Sequence, residues 1–146
     1  MRTTNARLTA QQGAVAIGLL GQARTCLLEA SSAGRPADRY AAAHLAALRT
    51  AAAVLAARAG GDRARRGPRN AWVLLARVAP EMGEWAAFFA TSARRRLAAE
   101  SGAPISAREA DDLLRDAETF LAVATRTLGL PHHPPLPGVA APLRAG

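Results

Sequence analysis

Alanine constrains this chain more than any other residue, supplying most of the apolar content that makes up 50% of its 146 residues. It is the best helix former, and its single methyl lets helix backbones approach closely, so apolar surface of this kind closes as a helical bundle. Runs of Val, Ile and Thr with period-two alternation, the main strand signal, do not occur. Bulky rings are few and local: Trp72, Trp85, Phe88, Phe89, Phe120 and Tyr40. The length suits one all-α domain with loose ends.

Spacing predicts the helices. Gly13 and Gly18 weaken the start of the chain, so the first 13 residues read as a flexible N-terminus despite a candidate capping box at Thr9 and Gln12. The first helix then spans residues 14–30, with Ala16, Leu19, Leu20, Ala23, Leu27 and Ala30 on one face. Pro36 suits the first turn of a second helix, and Asp38 suits its positive end. That helix runs to residue 59, with Ala41, Leu45, Leu48, Ala52 and Leu55 as its apolar stripe. Residues 60–69 read as an exposed basic loop. Asn70 is placed to cap a short helix over 71–79, and Pro80 to break it and start another running to residue 100. The last helix has the clearest signal. Ser106 and Glu109 form a capping box, Ala110, Leu113, Leu114, Ala117, Phe120, Leu121, Ala124 and Leu128 repeat at helical spacing, and Gly129 then Pro131 end it. Asp111 and Arg115 are spaced as a favourable i,i+4 pair, Asp112 and Asp116 as an unfavourable one. The domain therefore covers 14–129, and 130–146 is a proline-rich disordered tail.

All 19 basic residues are arginine, against 11 acidic ones, for a net charge of +8. Without lysine, Schiff-base chemistry and P-loop phosphate binding are excluded. The excess charge fits either a solvated arginine surface or association with nucleic acid. The lone Cys26 has no internal disulfide partner and lies in an apolar helical stretch, as a buried small residue in a reducing cytoplasm would. Apolar stretches such as 14–20 are too short to cross a bilayer, so a soluble, cytoplasmic protein without membrane association is expected.

Three segments together resemble a known family. Residues 19–24 leading into Arg35, Pro36, Ala37, Asp38, Arg39, Tyr40, three alanines and His44 look like a helix, a short turn and a small-residue helix. The stretch 68–80, through Asn70, Trp72 and Arg77, fits a short helix leading into the next. Residues 108–121, with Asp111, Asp112, Ala117 and Phe120, look like a closing helix. This order is similar to the HEPN (higher eukaryotes and prokaryotes nucleotide-binding) family, in particular an actinobacterial branch, over residues of about 15–128. The resemblance implies a four-to-five-helix bundle that often dimerises and takes RNA or nucleotides as its usual ligand class.

Catalytic members of that family carry an arginine followed, four to six residues on, by a histidine near the third and fourth helices, and two such motifs across a dimer cleave RNA. Here no histidine follows Arg94, Arg95 or Arg96 at that distance, and His132 and His133 lie in the tail. A formal match, Arg39 and His44, lies on the second helix. Five residues turn a helix by about 500°, leaving the two side chains about 140° apart. The expected roles are a solvated Arg39 and a packing His44; the enzyme alternative is a metal-independent, toxin-type ribonuclease recombining them across a dimer. Candidate nucleic-acid contacts are Arg63, Arg65, Arg66 and Arg69 in the loop, with Arg94, Arg95 and Arg96. The loop lacks interleaved aromatics, which argues against base-specific reading. His132 and His133 lack a third ligand, so no metal is expected, nor any cofactor. Trp85, Phe88 and Phe89 span more than one helical face, mainly as core with a part left for a subunit or protein partner. The expected function is a non-catalytic, dimerising HEPN-like module associated with RNA or nucleotide, with a protein-interaction module as the other alternative.

Overall fold

The computed structural model describes residues 2–59 and 68–130. They form five α-helices: α1 (Arg2–Ser32), α2 (Pro36–Ala59), α3 (Pro68–Val78), α4 (Gly83–Glu100) and α5 (Ala107–Thr127). A 3-10 turn, Pro80–Met82, joins α3 to α4, and no strand occurs among the described residues. The all-α expectation is met. The tail expected from residue 130 lies, after Leu130, outside the described residues.

The second helix is the axis of the bundle, packing on all four others. Its buried positions are Tyr40, Ala43, His44, Ala46, Ala47, Thr50, Ala51, Ala53, Val54, Leu55 and Ala56, too many directions for one stripe. A helix apolar nearly all round is a core helix. Among the described residues it is also the one helix long and apolar enough to cross a membrane, yet 61% of that window is buried inside the bundle.

Of the stripe expected on α2, only Leu55 is fully buried, so the stripe is not the core face as a whole. Leu45 is exposed and Leu48 half-buried, while Ala43, Ala47 and Ala51 are wholly enclosed. Helices approach most closely where side chains are smallest, so alanine takes the seam and leucine flanks it. On one side Ala53 of α2 meets Ala16, Leu20 and Ala23 of α1, with Leu121 of α5. On the other side Ala43, Ala47, Ala51 and Val54 face a cluster of rings. Phe89 lies 5.2 Å from Trp72 and 5.0 Å from Phe120 between centroids, and Trp85 lies 5.3 Å from Phe120. Four rings from α3, α4 and α5 thus form one cluster, at offset and tilted geometries favourable to aromatics.

The boundaries differ from expectation at three places. The first helix begins at Arg2 rather than near residue 14; interior glycine costs only about 1 kcal/mol, and Ala6, Leu8 and Ala10 are good helix formers around it. The third helix begins at Pro68, which suits a first turn, so Asn70 lies within it and does not cap it. Before Pro80 the chain does break, because proline excludes its predecessor from the helical region and Ala79 has φ −132° and ψ 77°. One 3-10 turn intervenes before α4 starts at Gly83. The end of the bundle is as expected: the Ser106 hydroxyl accepts from the Glu109 N–H while Glu109 reaches back, and Gly129 has φ +70°.

Candidate functional site

One sequence match to a catalytic arginine–histidine spacing lies on α2, and its two side chains leave the helix in different directions; Arg126 with His132 also has that spacing, but the histidine lies outside the described residues. Arg39 donates to the Asp111 carboxylate on α5 and, at 2.7 Å, to the Ala33 carbonyl. It is thus tied between helices instead of solvated as expected. The Asp111–Arg115 pair anticipated along α5 does not form, because Asp111 is taken by Arg39; Arg115 lies 3.4 Å from Asp112 instead.

His44 points the other way, into the bundle, and is 1% exposed. Its Nδ1 lies 2.8 Å from the Ser92 hydroxyl on α4. That hydroxyl spends its proton on the Phe89 carbonyl at 3.0 Å, so it accepts from histidine. The ring then carries a proton on Nδ1. Burial, reinforced by the Arg96 charge, lowers its pKa to about 4. The Trp72 ring flanks it at 6.0 Å between centroids. The indole N–H of Trp72 is buried and has no hydrogen-bond partner among the described residues.

Tyr40, one helical turn before His44, belongs to the same cluster. Burial raises its phenol pKa, Glu109 adds to the rise, and Arg95 and Ser92 oppose it. Arg95 closes the cluster, with Nε 2.6 Å and Nη2 2.9 Å from the two Glu109 oxygens, and Nη2 also donating to the Pro104 carbonyl at 2.6 Å. This bidentate grip holds the Glu109 carboxyl below its usual pKa. Arg96 pairs with Glu100 on the next turn.

Of the run Arg94, Arg95 and Arg96, two members are thus engaged with carboxylates of their own chain. Arg94 remains on the surface, touching only the Thr91 hydroxyl. Arg63, Arg65 and Arg66, like the side chain of Arg69 and the pair His132 and His133, lie outside the described residues. Cys26 is buried, and burial followed by Glu29 raises its thiol pKa, which disfavours the reactive thiolate. No group of three metal-ligating side chains occurs among the described residues.

Ser92 and the closeness of Arg96 to His44 were not anticipated. Both carry a faint sequence signal: Tyr40 and His44 are one turn apart on α2, and Ser92 and Arg96 one turn apart on α4. Two polar i,i+4 pairs in otherwise apolar helices are what facing polar patches look like. Which helices face each other is not readable from the pairs themselves.

Comparison with known families matches the SAV_6107-like HEPN family over residues 30–125. That span takes in the end of α1 and all of α2 to α4, and reaches nearly to the end of α5. No curated protein and no solved structure matches the chain.

Proposed function

This chain belongs to the SAV_6107-like HEPN family, and from that premise we propose that it is a non-catalytic, dimerising helical module that associates with RNA or a nucleotide. The observation that carries the non-catalytic reading is the position of His44. A general acid–base needs a pKa near the working pH and reach to the proton it moves. His44 is enclosed, neutral and committed through Nδ1 to Ser92. Its formal partner Arg39 is held by Asp111 and Ala33. A ribonuclease using both across a dimer has to open two sets of contacts before either residue meets a phosphate.

The ligand part of the proposal is supported by the family and by charge. A net charge of +8 carried entirely by arginine favours polyanions, and guanidinium matches phosphate oxygens two at a time. Arg35, Arg77, Arg94, Arg108 and Arg126 are exposed around the bundle, and none makes an ion pair among the described residues.

The test is a salt series of anisotropy titrations with fluorescent single-stranded RNA, each sample also run on a denaturing gel. The expected result is binding that weakens steeply with salt, with a log–log slope of about −0.7 for each phosphate contacted, and RNA that stays intact. Binding that is absent at low salt removes the ligand class. Cleavage that vanishes in a folded His44→Asn variant removes the non-catalytic reading.

A further inference from the structure

The fourth helix buries one face and leaves the opposite one bare. Ala86, Phe89 and Ser92 point inward, while Glu84, Ala87, Thr91, Arg94 and Ala98 are all exposed. At 100° per residue these five fall within about 80° of one another, a single outward stripe. Phe88 borders the stripe with 42% of its surface exposed, resting edge-on against Phe89. Neither Glu84 nor Arg94 forms an ion pair among the described residues.

The order of these residues is self-complementary. Resting on the reading of the protein as a dimer, we infer that α4 is where two copies meet, antiparallel, about a two-fold axis level with Phe89. In that register Glu84 is level with Arg94 of the partner subunit, and Arg94 with the partner's Glu84, each pair reaching across the width of the stripe. Ala87 then stands opposite the partner's Thr91. One surface serves both copies, as an isologous interface requires. Small side chains at the centre let the helices approach to about 8 Å, the near end of the usual range. A two-fold axis normal to the plane of the two helices keeps each flank in common, so Phe88 comes alongside the partner's Phe88 and both leave water. A parallel pairing fails on the same residues, since it sets Glu84 beside the partner's Glu84 and Arg94 beside the partner's Arg94.

Charge reversal tests the register. The full chain, Glu84→Arg, Arg94→Glu and the double exchange are compared by light scattering across a dilution series, with circular dichroism to check folding at these exposed positions. Either single reversal sets like charges together at both ends and weakens the dimer about tenfold or more, while the double exchange restores it. A wild-type dimer unmoved by either reversal overturns the surface and leaves the dimeric reading standing. Single reversals that the double exchange does not rescue overturn the register. A chain that is monomeric at every concentration overturns the surface and the dimeric reading together.

Discussion

His44 Nδ1 and the Ser92 hydroxyl lie 2.8 Å apart in the interior, joining α2 to α4 across 48 residues of sequence. With the serine proton on the Phe89 carbonyl, the ring meets Ser92 through an Nδ1 proton, and burial keeps that ring neutral. An unfolded histidine takes up a proton near pH 6.5, while the buried one resists until about 4. Between those values the unfolded chain binds more protons, so stability falls as pH falls through the window. The loss amounts to about 3 kcal/mol from this group when its pKa drops from 6.5 to about 4. Denaturant unfolding at pH 7 and pH 5 should show about 2 kcal/mol of that decline, and His44→Asn, which keeps a donor for Ser92 without a titrating ring, should flatten it.

Glu109 serves the α5 cap and the Arg95 grip at once. Ser106→Ala removes the cap alone and should cost about 1 kcal/mol. Glu109→Gln keeps a cap partner but loses the charge, so its cost should fall largely away in high salt while that of Ser106→Ala stays. Urea unfolding of both variants at two salt concentrations separates the two roles.

Ala47 and Phe120 belong to one buried cluster and test its packing from opposite directions. Ala47 lies wholly buried in the seam, where Ala47→Leu adds volume with nowhere to go and should destabilise by about 1–3 kcal/mol. Phe120 is the ring that both Trp85 and Phe89 rest on, and Phe120→Ala should cost about 3–5 kcal/mol. Thermal unfolding read by tryptophan fluorescence should show both, with the larger spectral change in Phe120→Ala.

Glycines divide by backbone conformation. Gly18 and Gly21 lie inside α1, and a Cβ at either meets nothing within 4 Å. Gly18→Ala and Gly21→Ala should each stabilise by about 0.5–1 kcal/mol. Gly129 also has open space around it, but its φ of +70° penalises any other residue. Gly129→Ala should therefore destabilise by about 1–2 kcal/mol, and the opposite shifts in melting temperature check the contrast.

Much of this was legible in the sequence because it is local. The Ser106 capping box, the stop at Gly129, the proline break after Ala79 and the apolar spacing of α5 each involve residues a turn or less apart, and all are present. The inward face of α2 was not legible. Periodicity ranks leucine above alanine, but packing put Ala43, Ala47 and Ala51 in the seam because neighbouring helices approach closest there. The fate of Arg39 was hidden for a related reason: Asp111, its partner, is 72 residues away, and only the packing of α2 on α5 brings them together. The site was half legible. The divergence of Arg39 and His44 follows from helix geometry alone, whereas Ser92 and Arg96 beside His44 required the fold.

Whether His44 is a neutral packing residue is read directly by nitrogen-detected NMR of the imidazole rings at pH 5.5. An ordinary histidine is about nine-tenths charged there. The expected result is one ring, assigned by its loss in His44→Asn, that stays neutral with its proton on Nδ1. A His44 that titrates near pH 6.5 and exchanges freely with water would contradict it.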